Sequence, residues 1–393
     1  MHKKNILIVM PIVRPGGVGS SLASFYPLID KTRFDISVFP ITYSSDKEIK
    51  ILSYSESVLT CNETLSAFYC NMPDAKGWRF VYSIVIKLIG KLFKKARFEE
   101  FIVKRAIKRI EKNNKYDTVM AFVEGFTTKF VSYFHCVNKV AWVHCNYNYY
   151  LPKDRSEEDI YNHYKHIVTV AQYTTEVFKQ RYPSLALRTS TIYNPIDIDR
   201  VTRLSNEAID DERFQKASFT LISVGRIVKV KRFTAIPQIA QVLKKEHIDF
   251  KWFILGLPLD KTELELIKKQ ICEFGLQDSV VYLGGKLNPY PYFRHADLLV
   301  STSESEACPM IFNEAKILKL PIVSTDFPSA FEFIDSGTNG VITSLDKMAG
   351  VICSIATNMD FYQTLKSNSS YCDRINNQSV ESFEALIDDN TTE

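Results

Sequence analysis

Two carboxylates flank a loop that follows a short apolar run in the second half of the chain. Glu306 lies in this loop, Glu314 lies eight residues further on, and Pro309 stands between them. Residues 298–300 predict a buried parallel strand, and Pro309 suits the first turn of a helix that begins near Met310. Such a helix start attracts anions, whereas carboxylates accept hydrogen bonds from sugar hydroxyls. The stretch predicts a site for a phosphate-and-sugar ligand, with ordinary helix-start acids as the alternative.

Two cations follow an earlier apolar strand of the same half. Residues 219–225 predict this strand, Arg226 comes directly after it, and Lys231 precedes a helix expected to begin near Arg232. A diphosphate needs such charges, because arginine binds it through two hydrogen bonds and lysine adds a point charge. The alternative is a solvated pair of surface charges.

A glycine loop follows the first strand of the chain. Residues 5–10 predict a central strand, Gly16 and Gly17 open the next loop, and a helix and a strand at 34–41 follow. This order is typical of nucleotide-binding α/β domains. The glycines do not form the GxGxxG pattern, and no acid ends the second strand, which disfavours NAD. A tight turn without a ligand remains the alternative.

His144 ends another predicted strand, at residues 139–144. Ligands of open α/β sheets bind at the carboxyl ends of strands. A histidine there is a candidate neutral hydrogen-bond partner or a proton carrier near pH 7. A lone histidine is also often purely structural.

The charge of the 393-residue chain is small overall but uneven. The net formal charge is +4, yet residues 76–115 contain 13 Lys or Arg and only 3 acids. Residues 81–112 predict basic helices, with apolar side chains on one face at Val81, Ile84, Val85, Leu88 and Leu92. These helices predict contact with an anionic membrane, or alternatively a solvated helix face. Nucleic acid is disfavoured because no recognition motif accompanies the charge.

Neither a metal nor a transmembrane helix is expected. The eight cysteines form no CxxC pair, and no Cys/His cluster has zinc spacing. Asp197 and Asp199 spell a DxD motif, but they stand in a predicted linker, where the motif is interpreted as coincidence. No apolar run approaches 18 residues. We expect a cytoplasmic location, peripheral on the inner face of the plasma membrane if the basic helices bind lipid.

The motifs, taken together, resemble the retaining glycosyltransferases of family four. The resemblance rests on the glycine loop, the segment ending in His144, the pair Arg226 and Lys231, and the E-x7-E spacing from Glu306 to Glu314. It implies an α/β fold of two Rossmann-like domains that face each other across a cleft. The acceptor-side domain would span residues 1–193, completed by a C-terminal helix at about 370–389. The nucleotide-sugar domain would span residues 194–369.

The resemblance also implies roles for the site residues. Donor-binding positions would be Gly16, Gly17, Arg226, Lys231, Pro309, Met310 and Glu314, and catalytic positions would be Glu306 and His144. The donor would be a nucleotide sugar with UDP as its nucleotide, and the acceptor would be a glycan or an undecaprenyl-type lipid-linked hydroxyl. No metal or cofactor would be needed. One departure stands before Glu332, where residues 327–331 replace the pair of small residues usual in the family. Alternatives are an epimerase-like enzyme of the same fold and a non-catalytic partner of a transferase.

Overall fold

Apolar runs in the two halves of the sequence build two separate parallel sheets. The computed structural model describes residues 3–14, 16–50, 52–71, 75–149, 157–209, 211–215 and 217–388, without the side chain of residue 113. The chain forms two compact units. The first comprises Met1–Pro195 and Arg374–Glu393, and the second comprises Ile196–Asp373.

The first unit is built on a six-stranded sheet whose strands are all parallel. Their order is β2-β1-β3-β4-β5-β6, and central β1 pairs Ile8 with Val38 on one side and with Met120 on the other. The central strands are buried on both faces, as expected for a parallel sheet covered by helices. The strands are β1 Lys4–Met10, β2 Phe34–Pro40, β3 Thr118–Ala121, β4 Asn138–Val143, β5 His166–Thr169 and β6 Thr189–Thr191.

Helices and 3-10 turns connect these strands, and one of the 3-10 turns is Ser55–Ser57. The 3-10 turns directly after the first helix and after the eighth are Tyr26–Leu28 and Pro183–Arg188. The helices are α1 Gly17–Phe25, α2 Asp46–Ile49, α3 Glu63–Tyr69, α4 Trp78–Leu92, α5 Lys95–Asn113, α6 Phe126–Ser132, α7 Glu157–Tyr161 and α8 Gln172–Arg181.

The second unit repeats the same architecture with another strand order. Its six parallel strands follow the order β12-β11-β10-β7-β8-β9, which is the arrangement of dinucleotide-binding Rossmann sheets. The strands are β7 Phe219–Val224, β8 Phe250–Leu255, β9 Val280–Gly284, β10 Leu298–Ser301, β11 Ile322–Thr325 and β12 Gly340–Thr343. The helices are α9 Ile198–Ser205, α10 Ile236–Lys245, α11 Lys261–Glu273, α12 Tyr290–His295, α13 Met310–Ile317, α14 Ala330–Phe333, α15 Met348–Thr357 and α16 Met359–Asn368.

The last helix, α17 Arg374–Asp388, packs on the first unit. Phe383 contacts the rings of Phe25 and Trp142, with centroids 5.4 and 6.0 Å away. The charged end of α17 forms ion pairs with Arg33 and Lys4. Although α17 is the last helix in the sequence, it therefore belongs to the first unit. The predicted end of the helix at residue 389 lies just outside the described residues.

The predicted fold class, α/β with two Rossmann-like domains, is confirmed. The basic segment 81–112 is helical as predicted and forms two helices, α4 and α5, which are interrupted at Phe93 and Lys94. The predicted start of the helix after Lys231 was wrong. No helix begins at Arg232, because its backbone is left-handed (φ 49°) between two 3-10 turns, and α10 starts at Ile236. None of the described helices is both long and apolar enough to cross a membrane.

Candidate functional site

The strand order of the second sheet reverses between β7 and β10. From β7 the chain builds β8 and β9 on one side, then returns to build β10, β11 and β12 on the other. Ligands of open α/β sheets bind outside the carboxyl ends of strands at such a switch point. The loop after β7 carries Arg226 and Lys231, and the loop after β10 carries Glu306. The topology of the sheet therefore brings the residues predicted to bind phosphate close to the residue predicted to bind sugar.

Lys231 and Glu306 are in direct contact. Nζ of Lys231 donates to Oε1 of Glu306, and the two side chains are only 15% and 16% exposed. Ser303 Oγ donates to the same carboxylate oxygen at 2.7 Å. Because both charged groups are largely shielded from water, their attraction is stronger than that of a surface pair. The contact fixes a cation and a carboxylate side by side.

Backbone contacts hold the two loops together around this pair. Thr302 Oγ1 donates to the carbonyl of Lys231 at 2.7 Å, and the amide of Glu304 donates to the carbonyl of Val230 at 2.8 Å. Glu304 also forms an ion pair of 2.7 Å with Arg232. The positions of Lys231 and Glu306 are thus set by their loops as well as by their mutual attraction.

The loop after β11 closes over the same carboxylate loop. Ser329 is fully buried, and its Oγ donates to the carbonyl of Glu306 at 2.7 Å. Thr325 Oγ1 donates to the carbonyl of Ser303. Phe327 is buried and its ring lies 6.1 Å from that of Phe312 in α13. The stretch that departs from the family pattern is therefore an ordered support of the Glu306 loop.

Arg226 differs from Lys231 in its surroundings. The side chain is exposed, and among the described residues it has no hydrogen-bond or ion-pair partner. It follows β7 directly, five residues before Lys231. Its guanidinium is therefore available to an anionic ligand at the end of this strand.

The helix predicted after Glu306 is present as α13. It begins at Met310, with Pro309 as the residue before its first turn, and it ends at Ile317. Met310 packs on a cluster that includes Ile196, Val201 and Tyr290. The first turn of any α-helix has backbone N–H groups without intrahelical partners, so α13 supplies the expected donors after the Glu306 loop.

Glu314 is buried within the second unit. Tyr290 of α12 donates to Oε1 of Glu314 at 3.0 Å. Burial raises the pKa of Glu314 to about 7, although the Tyr290 hydrogen bond and the nearby Arg200 oppose this rise. The carboxyl is therefore poised to change charge near neutral pH. In this structure its known partner is a tyrosine hydroxyl, which is the same kind of donor as a ribose hydroxyl.

Three loops of the first unit meet at the carboxyl edge of its sheet. The glycine loop, Glu124 and His144 follow β1, β3 and β4, which are neighbours in the sheet. The strand order of this sheet reverses between β1 and β3, which marks a second switch point. Gly16 and His144 therefore lie in loops at the same edge of the sheet, and the loop that carries Glu124 lies between them.

Backbone conformation favours glycine at position 16, and close packing requires glycine at position 19. Gly16 has a φ of 144°, a conformation that favours glycine, and it precedes α1. A Cβ on Gly19 would lie 2.0 Å from the carbonyl oxygen of Arg14, whereas a Cβ on Gly17 would meet nothing within 4 Å. Packing thus requires a glycine at position 19, and the space beside Gly17 is open.

His144 is held as a neutral imidazole. Burial lowers its pKa to about 3, and a ring N–H donates to the carbonyl of Phe122. Nε2 is buried and has no hydrogen-bond partner in the described part of the chain, so the donating atom is Nδ1. The amide of His144 donates to Glu124 Oε2 at 2.8 Å. The ring therefore has a buried acceptor nitrogen that no described group satisfies.

The DxD motif has a structural explanation. Asp197 caps α9, because its side chain accepts from the amide of Arg200 at 2.9 Å. Within the described ranges, no group of three or more His, Cys, Asp or Glu side chains is arranged to hold a metal ion. Independence from metal nevertheless stays a prediction.

Comparison with known proteins shows what most of this second unit resembles. Residues 205–355 match the family model of glycosyl transferases group 1, and they span the β7 and β10 loops described above. Over these residues the chain is similar to the group 1 glycosyl transferases. An uncharacterized glycosyltransferase of Methanocaldococcus jannaschii is 30% identical over 163 residues, which are 41% of this chain and 39% of that protein.

Another relative of the group 1 region comes from Campylobacter jejuni. It is the N-acetylgalactosamine-N,N'-diacetylbacillosaminyl-diphospho-undecaprenol 4-alpha-N-acetylgalactosaminyltransferase. It is 27% identical over 170 residues, which cover 43% of this chain and 44% of the relative. The chain thus spans less than half the length of either of these two curated relatives.

The fold extends beyond the group 1 region. Anabaena Alr3699/HepE, solved in complex with UDP and glucose, is similar with a TM-score of 0.71 and 17% sequence identity. The likeness covers 97% of this chain and 100% of HepE. At this identity the comparison establishes the shared two-domain architecture, to which the group 1 region contributes the second sheet.

Sequence reasoning missed several polar groups that position the predicted ones. Ser303 and Ser329 hold the Glu306 loop, and Tyr290 holds Glu314. Ser303 stands three residues before Glu306, a spacing that could have suggested a local hydrogen bond. Ser329 and Tyr290 are distant in sequence from their partners, so no local pattern of the group 1 region indicated them.

Proposed function

We propose that this protein is a retaining glycosyltransferase that moves a sugar from a UDP-linked donor to a hydroxyl of a lipid-linked or polysaccharide acceptor. The observation that carries this proposal is the contact of Lys231 with Glu306 at the switch point of a Rossmann sheet. A cation suited to phosphate then lies beside a carboxylate suited to sugar hydroxyls. A nucleotide sugar contains both groups in adjacent positions.

The leaving diphosphate would be stabilised by charge. Exposed Arg226 and partly buried Lys231 would bind its oxygens, and the backbone at Pro309 and Met310 would add the N–H donors of the α13 first turn. Gly16 and Gly17 would approach the phosphates from their own loop. Preorganised donors aimed at developing negative charge are commonly the largest contribution to such catalysis.

Glu306 and Glu314 would hold the two sugars of the donor. Glu306, with Lys231 and Ser303 on one oxygen, would accept hydrogen bonds from the transferred sugar. Glu314 would accept from the ribose, whose hydroxyls would join or replace that of Tyr290. The ionised carboxylate is the stronger acceptor, so ribose binding would favour its charged form.

His144 would orient the transferred sugar or the acceptor. Its unprotonated Nε2 suits a hydrogen bond from a hydroxyl, which agrees with a role as acceptor rather than proton donor. No side chain is assigned as a covalent nucleophile. The acceptor oxygen would attack on the face from which the diphosphate departs, and we propose no metal or cofactor for this step.

Two of the similar proteins support the choice of substrates. HepE was solved with UDP and glucose, and the Campylobacter relative is named for transfer to a diphospho-undecaprenol-linked glycan. On this basis we propose a UDP donor and an acceptor in cell-envelope polysaccharide synthesis. We also propose that the enzyme works in the cytoplasm, where UDP-sugars are made, and meets its acceptor at the inner face of the membrane.

The first test is a thermal-shift series with UDP, GDP, ADP and NAD, with and without EDTA. A ligand at one hundred times its Kd adds about 2.7 kcal/mol, which is roughly 5–11 °C for units of this size, where each kcal/mol shifts the Tm by about 2–4 °C. We expect UDP to raise the Tm of the wild type in EDTA and not of the Arg226→Ala variant. A shift with NAD alone, or one independent of Arg226, contradicts the donor assignment.

The stereochemistry needs a second experiment. After a screen of UDP-sugars, proton NMR of the product would show whether the anomeric configuration of the donor is kept. Retention supports the proposal, whereas inversion contradicts it. Conversion of the donor sugar without any acceptor would indicate an epimerase-like enzyme instead.

A further inference from the structure

Helix α4 presents an apolar stripe to the solvent. Its members recur every three or four residues and are 45–81% exposed, namely Trp78, Val81, Val85, Leu88 and Leu92. The opposite face is buried at Ser83, Ile86 and Gly90. Over about 21 Å of helix, the apolar side chains thus face away from the core.

The orientation of this stripe is fixed by packing on the other side. A Cβ on Gly90 would lie 2.8 Å from the Phe68 ring of α3 and 3.3 Å from the Phe98 ring of α5. Lys87 Nζ donates to the carbonyl of Cys70 at 2.7 Å. Rotation of α4 to bury the stripe would therefore break these contacts, so the exposed face is a built feature of the first unit.

Four exposed cations stand at the end of the stripe. Lys91, Lys94, Lys95 and Arg97 surround the turn between α4 and α5, and none of them has an ion-pair partner among the described residues. The nearest acids in sequence are already paired, Glu99 with Lys129 and Glu100 with Lys104. The charge of these four side chains is therefore not compensated within the unit.

We propose that α4 lies in the interfacial plane of an anionic lipid bilayer. The stripe would enter the boundary between headgroups and acyl chains, with Trp78 at one end, and the four cations would contact anionic headgroups. Exposed aromatic and aliphatic residues beside basic ones are the composition of interfacial helices. A second copy of the chain would bring like charges together, and nucleic acid would leave the stripe in water.

This surface also gives the proposed acceptor a location. If the protein transfers a sugar as proposed above, docking through α4 would keep the active enzyme where lipid-linked hydroxyls are presented. This consequence rests on the proposed function, whereas the docking itself does not. The experiment is therefore performed without any donor or acceptor.

The test is co-sedimentation with vesicles of phosphatidylcholine alone or mixed with phosphatidylglycerol. We expect the wild type to bind the mixed vesicles, and the double variant Val85→Glu/Leu88→Glu to bind them at least roughly tenfold more weakly. Leu187→Glu is the matched control, because Leu187 is fully exposed in the same unit outside the stripe. It should bind like the wild type.

The contribution of charge is tested by removing the four cations. Replacing Lys91, Lys94, Lys95 and Arg97 with Gln should weaken binding by roughly fivefold per residue at low salt. The control replaces four exposed lysines of the second unit with Gln, namely Lys245, Lys261, Lys319 and Lys347. The two quadruple variants have the same net charge, so only the location of the charge differs.

Trp78 provides a direct readout of insertion. The chain has three tryptophans, and Trp142 and Trp252 are fully buried. A blue shift of the fluorescence on addition of mixed vesicles, lost in Trp78→Phe, is expected. Equal binding of the Val85→Glu/Leu88→Glu variant and the wild type overturns the proposal. Failure of the wild type to bind the mixed vesicles also overturns it. The same holds if the wild type binds no vesicles but forms a dimer that the two glutamates disrupt. An unchanged UDP response of the variant would show that docking and donor binding are separate.

Discussion

Lys231 donates to the same oxygen of Glu306 that Ser303 contacts, so the cation from the β7 loop is already neutralised by the carboxylate from the β10 loop. A diphosphate that binds Lys231 must compete with this carboxylate. Lys231 would then bind the phosphate in part, and the carboxylate of Glu306 would be freer to accept hydrogen bonds from the transferred sugar. The two residues would act as a coupled unit rather than as independent contacts.

Substitution of Glu306 should separate the sugar from the nucleotide. We expect Glu306→Gln to leave UDP affinity within a few-fold of the wild type, because the cations remain. The additional affinity for a UDP-sugar and the transfer rate should fall by about 10–100-fold, the usual weight of a hydrogen bond to a charged group. Isothermal titration with UDP and with the UDP-sugar measures both quantities.

Two variants test whether this effect is local. Lys231→Ala should weaken binding of UDP and of the UDP-sugar alike, because it removes a phosphate contact. Glu304→Gln is the control in the same loop, since Glu304 pairs with Arg232 instead of Lys231. If Glu306→Gln weakens UDP as strongly as Lys231→Ala does, Glu306 does not serve the sugar.

Glu314 should make the unfolding free energy depend on pH. Its pKa is about 7 in the folded protein and about 4.5 when unfolded, so the folded state binds the proton more tightly between these values. The stabilisation is present below pH 4.5 and is lost as the pH rises through 7. For this group we expect a loss of about 2–3 kcal/mol between pH 5 and pH 8.

The Glu314→Gln variant isolates this contribution. Its amide oxygen can still accept from Tyr290, but it carries no titrating proton. The difference in unfolding free energy between the variant and the wild type, from urea titrations at each pH, should grow in favour of the variant from pH 5 to pH 8. A flat difference for Glu314→Gln would mean that the carboxyl stays ionised.

The strands that the sequence predicts best are those buried on both faces. Residues 5–10 form most of β1 as predicted, because a continuous run of buried apolar residues leaves little choice of structure. The strands β6 and β12 were not predicted. They are short edge strands of three and four residues with polar or half-buried members, so they show neither a long apolar run nor a clear alternation.

Periodicity also identifies a face without identifying what covers it. Val81, Val85 and Leu88 were predicted to share one face of a helix, and they do, but this face is exposed while Ile86 points to the core. The contact of Lys231 with Glu306 has a similar limit. Topology brings their loops together, whereas the hydrogen bonds from Ser303 and Ser329 that fix Glu306 follow from packing across long sequence separations.

Gly19 and Gly17 should respond differently to substitution by alanine, because a Cβ would clash at position 19 and would meet open space at position 17. Gly19→Ala should destabilise the fold by about 1–3 kcal/mol, since its Cβ would meet the backbone oxygen of Arg14. Gly17→Ala should keep the unfolding free energy within about 1 kcal/mol of the wild type, or raise it, because the position is open and helical. Urea denaturation of both variants measures these values.

The same pair of variants bears on the donor. If Gly17 lies near the phosphates, Gly17→Ala should weaken UDP binding although its stability is preserved. Equal UDP affinity of the wild type and Gly17→Ala would remove Gly17 from the donor site. Equal stability of Gly19→Ala and the wild type would instead contradict the close approach seen in the loop.

His144 should remain neutral throughout the working pH range of the enzyme. Burial holds its pKa near 3, and Nδ1 donates to the carbonyl of Phe122, which leaves Nε2 unprotonated. Its resonances in an NMR spectrum of the histidine-labelled protein, assigned with His144→Phe, should show one neutral tautomer from pH 5 to pH 8. Accordingly, kcat/KM should have no acidic limb caused by this residue, and His144→Phe should lower activity by a similar factor at pH 6 and pH 8. An NMR titration of His144 near pH 6.5, with a matching inflection in kcat/KM that His144→Phe removes, would instead make it a proton carrier.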